Sequence, residues 1–203
     1  MICLVTDRRR CEVLAQVGGA VGAGVDLVQI RERDLEAAAL ADLVASAVAL
    51  ARGSATRIIV NDRLDVALAC GAAGVHLRAD SLPPGLARTL APPGFLVGRS
   101  VHTAAQARAA GREADFLIAG TVFETPSKPD ERRLLGLEGL RSIVEAAAAP
   151  VLAIGGVTLE RLSAVAATGA AGIAAIGLFA DPASLPRVVE TIRQRFDSVK
   201  TPS

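Results

Sequence analysis

Short apolar runs rich in valine, isoleucine and leucine recur along the chain, each followed by a polar or glycine-containing corner and an alanine-rich stretch of helical character. Because continuous apolar runs suit strands covered on both faces, and helical crossovers suit parallel pairing, the pattern predicts a parallel sheet. The predicted strands are Ile2–Val5, Val25–Ile30, Arg57–Val60, Gly74–Leu77, Phe95–Val97, Phe116–Ala119, Val151–Ile154 and Gly172–Ile176.

Eight strand–loop–helix units within 203 residues leave little room for insertions. So short a chain for eight units favours a single closed (β/α)8 barrel, a TIM barrel, over an open doubly wound sheet. The segments "GAGVDLVQI", "GAAGVHL" and "TGAAGIAAI" each place a small corner before a strand and indicate a weak internal repeat. We expect the barrel to occupy residues 1–196 and a frayed tail to occupy residues 197–203.

Composition narrows the class of protein. The net charge of +1 and the aromatic content of 2% give no basic stripe or base-stacking platform, so nucleic acid is not an expected partner. No apolar stretch approaches the roughly 18 residues that span a bilayer, and we expect a cytoplasmic protein with no membrane partner. Three cysteines without C-x-x-C spacing indicate small core residues rather than a metal or redox site. A homo-oligomer is possible.

The chemistry of such barrels lies at the carboxyl ends of the strands. In "QIRER", strand alternation places Gln29, Arg31 and Arg33 on one side, and two guanidiniums there indicate a bound oxyanion. The alternative is an arginine paired with a barrel carboxylate such as Asp62. Asn61 and Asp62 follow the third strand, where Asp62 can also serve only as the cap of the next helix.

The segment "AIGGVTLERL" predicts a phosphate cradle. Gly155 and Gly156 allow close approach of an anion, and Thr158 then begins a helix whose free N–H groups face the same space. Ile176 and Gly177 end strand eight and supply the second half of the usual phosphate site of such barrels. A tight strand-to-helix turn with no ligand is the alternative.

The longest and most charged connection runs from Gly120 to Gly136 and is expected to be an active-site lid. Within it, Thr125 and Lys128 are candidate substrate-binding residues. Lys128 can place a positive charge on an anionic ligand, or it can be an ordinary solvated loop lysine.

In "GRSVHTAAQ", Ser100 and His102 follow strand five, and Thr103 and Gln106 have the spacing of a capping box. His102 is therefore expected at a helix N-terminus, where the helix dipole favours neutral imidazole and makes the ring a candidate general acid/base. A structural histidine on that corner is the alternative.

With these motifs assembled, the chain resembles the thiamine phosphate synthases and their sister branch, the thiazole tautomerases. The resemblance runs through "LVTD", "VQIRER", "NDRLDVALACGAAGVHL", "GRSVH", "GTVFETPSK", "GLEGL" and "PVLAIGGVT" and covers nearly the whole chain. It implies a phosphate-binding barrel that works in thiamine biosynthesis.

The synthase branch implies a pyrimidine diphosphate handled with Mg²⁺. Its motif positions are occupied by Arg31, Asn61, Asp62, Ser100 and Lys128, with Asp62 as a metal ligand. Two positions depart from the branch. Arg33 replaces a lysine, and "HLRADS" places Ser81 where a second metal carboxylate is expected, with Asp80 one residue early.

These departures favour the tautomerase branch. The sequence therefore predicts an isomerase that needs no cofactor, in which His102 moves the proton that aromatises a carboxylated thiazole phosphate. This choice leaves the retained "NDR" and Lys128 unexplained. The alternatives are a Mg²⁺-dependent thiamine phosphate synthase, a transferase, and a catalytically inactive regulatory barrel.

Overall fold

The computed structural model describes residues 1–125 and 133–200. Its strands are β1 Ile2–Val5, β2 Leu27–Ile30, β3 Arg57–Asn61, β4 Gly74–Leu77, β5 Leu96–Val101, β6 Phe116–Ala119, β7 Val151–Ile154 and β8 Gly172–Ala175. Its α-helices are α1 Val13–Ala23, α2 Ala37–Ala51, α3 Leu64–Ala69, α4 Pro84–Leu90, α5 Ala104–Ala110, α6 Gly136–Ala146, α7 Leu162–Ala166 and α8 Leu185–Lys200.

The eight strands close into a barrel in chain order, with β1 paired to β8. Every neighbouring pair is parallel. The predicted (β/α)8 barrel is therefore confirmed. The strand at β5 extends past its predicted end, because Arg99 and Ser100 continue the ladder opposite Leu117 and Ile118.

Strand alternation divides the core into two layers. Inside the barrel, a small cluster contains Cys3, Val5, Leu27, Ile59 and the other inward side chains of the strands. The alternate strand residues face outward and pack, with the apolar sides of the helices, into one larger cluster. Strands covered on both faces explain the continuous apolar runs of the sequence.

The Phe116 ring fills the inside of the barrel below the carboxyl ends of the strands. His76, Gly98 and Phe116 are register neighbours on three adjacent strands. A Cβ at Gly98 would lie 2.2 Å from the Phe116 ring, so only glycine lets that ring cross the strand. The Phe116 ring stacks on His76 with 6.1 Å between ring centroids. The floor of the barrel is thus apolar up to the level of His76.

Helix α8 continues to Lys200 and so includes part of the segment expected to be a frayed tail. Cys3 is buried in the barrel, whereas Cys11 and Cys70 are partly exposed, and all three are free thiols. Among the helices that the structure describes, none has the length and apolar character required to cross a bilayer.

Candidate active site

A cavity of about 470 Å³ opens at the carboxyl ends of the strands. Most of the predicted site residues line it, on strands from both halves of the barrel. They are Gln29, Arg31, Arg33, Asn61, Ser100, His102, Thr125, Gly155, Gly156, Ile176 and Gly177. The structure therefore brings these residues together, as the barrel prediction required.

Lys128 lies outside the described residues, as does the central part of the predicted lid. The flanks of that connection are described. Leu135 and Gly136 donate backbone hydrogen bonds to the carbonyl oxygens of Thr121 and Val122, at 2.8 and 3.0 Å. The two ends of the loop are thus held close together beside the cavity.

The "QIRER" alternation is as expected. Arg31 and Arg33 line the cavity, while Ile30 is buried in the outer core. Burial lowers the pKa of Arg31, and the neighbouring Arg33 guanidinium adds to the effect. Arg31 remains charged at neutral pH because the guanidinium pKa is so high. Two like charges held side by side favour a bound anion between or across them.

A buried glutamate anchors the backbone that carries these arginines. Glu32 is 6% exposed and accepts a 2.7 Å hydrogen bond from the Thr6 hydroxyl. The Thr6 oxygen in turn accepts the Arg31 N–H at 3.0 Å, and the Arg8 N–H lies 3.3 Å from both Glu32 carboxylate oxygens. Both carboxylate oxygens therefore have hydrogen-bond partners, and strand β2 is fixed to β1 at the site.

The structure adds His76, a buried residue of β4 that is not among the predicted site residues. Its Nδ1 lies 2.8 Å from the Gln29 amide nitrogen, and its Nε2 lies 3.3 Å from the Ser100 hydroxyl. Because the amide nitrogen only donates, Nδ1 accepts and Nε2 carries the proton. Burial lowers the pKa of His76 to about 4, against an opposing contribution from Asp62. A neutral imidazole therefore joins Gln29 to Ser100 under the cavity.

His102 lies just after β5, as predicted. Thr103 accepts the Gln106 N–H at 3.2 Å, and the Gln106 side chain accepts the His102 N–H at 2.6 Å. The capping interaction is thus present, with Gln106 reaching one residue before the N-cap. Nδ1 of His102 is hydrogen-bonded to the carbonyl oxygen of Gly120. Since a carbonyl only accepts, Nδ1 carries a hydrogen, and Nε2 is the ring atom that can accept one.

The two glycines after β7 have the backbone that a cradle requires. Gly155 and Gly156 have φ values of 100° and 62°, and a Cβ at Gly156 would lie 2.2 Å from the Glu124 carbonyl oxygen. Thr158 precedes a 3₁₀ turn, Leu159–Arg161, that leads directly into α7. In the part of the chain that the structure describes, the N–H groups of Gly156 and Gly177 have no acceptor.

Arg161 reinforces this side of the cavity, and the sequence analysis did not select it. Its Nη1 donates to the Gly156 carbonyl oxygen at 2.6 Å, and its guanidinium lies 4.5 Å above the centre of the Phe123 ring. Arg161 also lines the cavity. A stacked cation beside two free N–H groups is well suited to an anionic ligand.

Asp62 has neither of the partners considered from sequence. Its carboxylate accepts the backbone N–H of Arg78 at 3.2 Å and lies 3.5 Å from Arg78 Nε, so it is not paired with Arg31 or Arg33. Helix α3 begins at Leu64 after Arg63, which makes no side-chain cap. The interpretation of Asp62 as only a helix cap is therefore wrong. Arg78, which sequence reasoning did not select, is the cavity residue that contacts it.

The residues here do not fit a magnesium ion shared by two free carboxylates. Asp62 is already bonded to Arg78, and Asp80, the other carboxylate at this corner, is bonded to the same guanidinium at 2.8 Å. At Ser81, the backbone carbonyl accepts from Arg99 and the backbone N–H donates to the Arg78 carbonyl oxygen at 3.1 Å, and serine supplies no carboxylate. Among the described residues, no three His, Cys, Asp or Glu side chains are grouped to hold a metal ion. The Mg²⁺ role of Asp62 stays a prediction.

The cavity is cationic although the chain is nearly neutral. Among its described lining residues are four arginines, Arg31, Arg33, Arg78 and Arg161, and one carboxylate, Glu124. The positive charge is concentrated at the mouth of the barrel, where low-dielectric walls strengthen its attraction for anions. Fold and site together define a (β/α)8 barrel that is suited to bind an anionic small molecule.

Comparison with known proteins identifies the family. A family model described as thiamine monophosphate synthase matches residues 2–179, and the chain belongs to this family. It is 40% identical to the thiamine-phosphate synthase of Methanoculleus marisnigri over 185 residues, covering 89% of this chain and 86% of the relative. The thiamine-phosphate synthase of Pyrococcus horikoshii is 36% identical, with 97% and 94% covered.

A solved structure agrees with the sequence relatives. The thiamine phosphate pyrophosphorylase from Pyrococcus furiosus is 33% identical, superposes with a TM-score of 0.86, and matches 98% of this chain and 96% of its own. The similarity therefore extends over essentially the whole barrel.

The prediction of a thiazole tautomerase, and with it of an isomerase, is wrong. The relatives that match across the chain are thiamine-phosphate synthases. The departures at Arg33 and Ser81 therefore do not indicate the tautomerase branch, and Arg33 keeps a cation in the cavity. The proton transfer assigned to His102 belonged to the aromatisation reaction and is withdrawn with it. That His102 belongs to the site stays a prediction.

Proposed function

We propose that this chain is a thiamine-phosphate synthase, a transferase that joins a pyrimidine diphosphate to thiazole phosphate and releases pyrophosphate. The observation that carries the proposal is the 36–40% identity, over most of the chain, to proteins of that name. The cationic cavity is consistent with two anionic small-molecule substrates.

The proposed reaction exchanges one bond for another. The bond between the pyrimidine methylene carbon and the diphosphate oxygen breaks, and pyrophosphate leaves with the electron pair. The lone pair of the thiazole ring nitrogen forms the new carbon–nitrogen bond. No proton has to leave that nitrogen, so the protein's main tasks are to align the two rings and to stabilise the negative charge that develops on pyrophosphate.

The two anions are assigned to two sides of the cavity. Arg31 and Arg33, just after β2, bind the diphosphate, with Asn61 and Ser100 contacting the pyrimidine. The thiazole phosphate rests on Gly155, Gly156, Ile176 and Gly177 beyond β7 and β8. This division is supported by the paired guanidiniums on one side and the free N–H groups of the glycines on the other.

The test is turnover of purified protein with both substrates, measured as thiamine phosphate formed and pyrophosphate released, with Mg²⁺ present. Arg31→Gln should lower kcat/KM by about 10²–10³-fold, the usual cost of removing one electrostatic donor from a transition state. Arg57→Gln is the matched control, because Arg57 lies at the opposite, amino end of β3 and is exposed. Its kcat/KM should stay within about twofold of the unaltered protein.

Binding of both substrates without formation of thiamine phosphate would overturn the proposal and favour the inactive regulatory barrel. Equal losses in Arg31→Gln and Arg57→Gln would show that the arginine effect is not specific to the cavity.

A further inference from the structure

We propose that Arg78, just after β4, is a diphosphate-binding residue. Its guanidinium supplies, at this corner of the cavity, the positive charge that a metal ion held by carboxylates would otherwise supply. This inference deepens the proposed synthase function and rests on it for the identity of the anion. At this corner, the negative charge of the diphosphate is neutralised by an arginine rather than by a metal ion held between two carboxylates.

The guanidinium of Arg78 is held by carboxylates along one edge. Nε and Nη2 form a two-point contact with Asp80 at 3.0 and 2.8 Å, and Nε lies 3.5 Å from Asp62. The described part of the chain provides no hydrogen-bond partner for Nη1. Arg78 lines the cavity, whereas Asp62 and Asp80 do not. The cation, rather than the carboxylates, is thus presented to a ligand.

The loop that carries Arg78 is fixed from below. The Arg99 guanidinium donates to the carbonyl oxygens of Ala79, Ser81 and Leu82 at 2.8, 3.3 and 2.6 Å. Three backbone contacts from one planar group define the path of the chain just after β4. Arg78 therefore begins from a defined position, which reduces the conformational entropy lost when an anion binds.

The Asp80 contact can yield to a stronger ligand. The Asp80 side chain is 72% exposed and that of Arg78 is 42% exposed, so solvent screens their attraction. A diphosphate offers more negative charge and the same two-oxygen geometry. Arg78 and, to a smaller extent, Arg33 lower the pKa of the Asp80 carboxyl, and both arginines line the cavity.

A metal ion at Asp62 would compete with Arg78 for the same carboxylate. Inorganic pyrophosphate, the leaving group itself, is therefore expected to bind to this protein in the absence of Mg²⁺. Isothermal titration calorimetry of the full chain in EDTA measures this directly and does not depend on turnover. The variants are Arg78→Gln, which removes the charge, and Arg78→Lys, which keeps the charge and removes the planar fork.

Arg63→Gln is a closely matched control. Arg63 makes the same two-point contact with a carboxylate two residues later, Asp65, at 2.9 and 2.7 Å. Its side chain is 37% exposed, and it does not line the cavity. Any general effect of removing a partly exposed arginine pair appears in this variant too.

We expect Arg78→Gln to weaken pyrophosphate binding in EDTA by about 10- to 100-fold, the usual range for a charge-assisted two-point contact. Arg78→Lys should lie in between, and Arg63→Gln should stay within about twofold. If Arg78→Gln does not fold, as judged by circular dichroism, the Arg78→Lys result decides. The inference is overturned if the unaltered protein binds pyrophosphate only when Mg²⁺ is added. It is also overturned if the Arg78 variants bind pyrophosphate as tightly as the unaltered protein.

The two proposals fail separately. Arg78-dependent pyrophosphate binding without thiamine phosphate formation would remove the synthase function and leave the arginine site standing. Turnover by the unaltered protein, together with metal-free pyrophosphate binding that is unchanged in the Arg78 variants, would leave the synthase function standing and remove the arginine site.

Discussion

The Gln29 amide donates to Nδ1 of His76 across 2.8 Å, between strands β2 and β4, and so fixes which nitrogen of the imidazole carries the proton. The ring is 5% exposed and packs on Phe116. A neutral histidine therefore spans the barrel floor and offers its Nε2 hydrogen to Ser100. This arrangement leads to a prediction about pH.

Stability should fall as the pH decreases from about 6.5 to about 4 because of His76. Burial lowers its pKa from 6.5 to about 4 in the native state. Between these values the unfolded state binds a proton that the native state does not, so stability is lost with decreasing pH, by on the order of 3 kcal/mol in total. Above pH 6.5 both states are neutral and this contribution is constant.

The measurement is urea unfolding across this pH range for the unaltered protein and for His76→Gln. Carboxylates titrate in both proteins, so the difference between the two pH profiles isolates His76. Nuclear magnetic resonance of the ring should also show neutral imidazole down to about pH 5. Identical slopes in the two proteins would show that His76 is not held neutral by the fold.

Gly156→Ala should weaken binding of thiazole phosphate by about tenfold or more. The residue has φ of 62°, and its added Cβ would lie 2.2 Å from the Glu124 carbonyl oxygen and 2.8 Å from Phe123 Cβ. Either the loop or the free N–H must move, since real Cβ atoms do not approach so closely. Calorimetric titration with thiazole phosphate measures the change.

Gly18→Ala provides the control for this substitution. Gly18 lies mid-way along α1 with nothing within 4 Å of an added Cβ, so it should bind thiazole phosphate normally. Its stability should rise by about 0.5–1 kcal/mol, because alanine is the better helix former. Unchanged affinity in Gly156→Ala would contradict the cradle.

The fold could be predicted from the sequence because the barrel repeats one local pattern, a strand followed by a helix. Most strands are short apolar runs with buried residues on both faces, and each strand is followed by a helix, so the repeated strand–helix order alone defined the closed barrel. Strand β5 ran longer than predicted, since Arg99 is polar yet pairs with both β4 and β6, and Ser100 pairs with β6. The strand end was predicted too early because polar residues were expected to end the strand, whereas their backbone pairing continues it.

The site was predictable where chemistry follows a strand end directly. Arg31, Arg33 and Gly156 were found by position alone. His76 was missed as a site residue because its role depends on Gln29 and Ser100, which come from other strands. Arg78 was not selected, since its contact with Asp62 joins the loops after β4 and β3 and has no local signature.

Thr6→Val should reduce both stability and substrate affinity. The hydroxyl of Thr6 donates to Glu32 and accepts the N–H of Arg31, so its loss leaves a buried carboxylate and a backbone donor short of a partner. The expected cost is about 1–3 kcal/mol, measured by urea unfolding. Because Arg31 loses an anchor, KM for the diphosphate substrate should also rise, by severalfold.

Thr56→Val separates these two effects. Thr56 is also buried, and its hydroxyl donates to the Val25 carbonyl oxygen at 2.8 Å, before the amino end of β3 and away from the cavity. It should lose stability, by about 1 kcal/mol, with KM unchanged. A parallel rise of KM in both variants would mean that Thr6 acts only through stability and not by positioning Arg31.

Arg161→Gln should weaken binding of the phosphate substrate by about tenfold at low salt and by less at high salt. Arg161 holds the Gly156 carbonyl at 2.6 Å and stacks on Phe123, so its charge lies beside the predicted cradle. Salt screens the attraction between partly exposed charges, and the difference between the variant and the unaltered protein should therefore shrink as ionic strength rises. Calorimetric titration with thiazole phosphate at two salt concentrations measures both effects.

Two further variants separate charge from packing at this position. Phe123→Leu removes the stacking partner but keeps the Arg161 charge, so its loss of affinity should be smaller. Arg141→Gln removes an exposed arginine from α6 and should leave thiazole phosphate binding unchanged at both salt concentrations. If Arg161→Gln and Phe123→Leu lose affinity equally, with no dependence on salt, then Arg161 shapes the loop around Gly156 without contributing its charge to the phosphate.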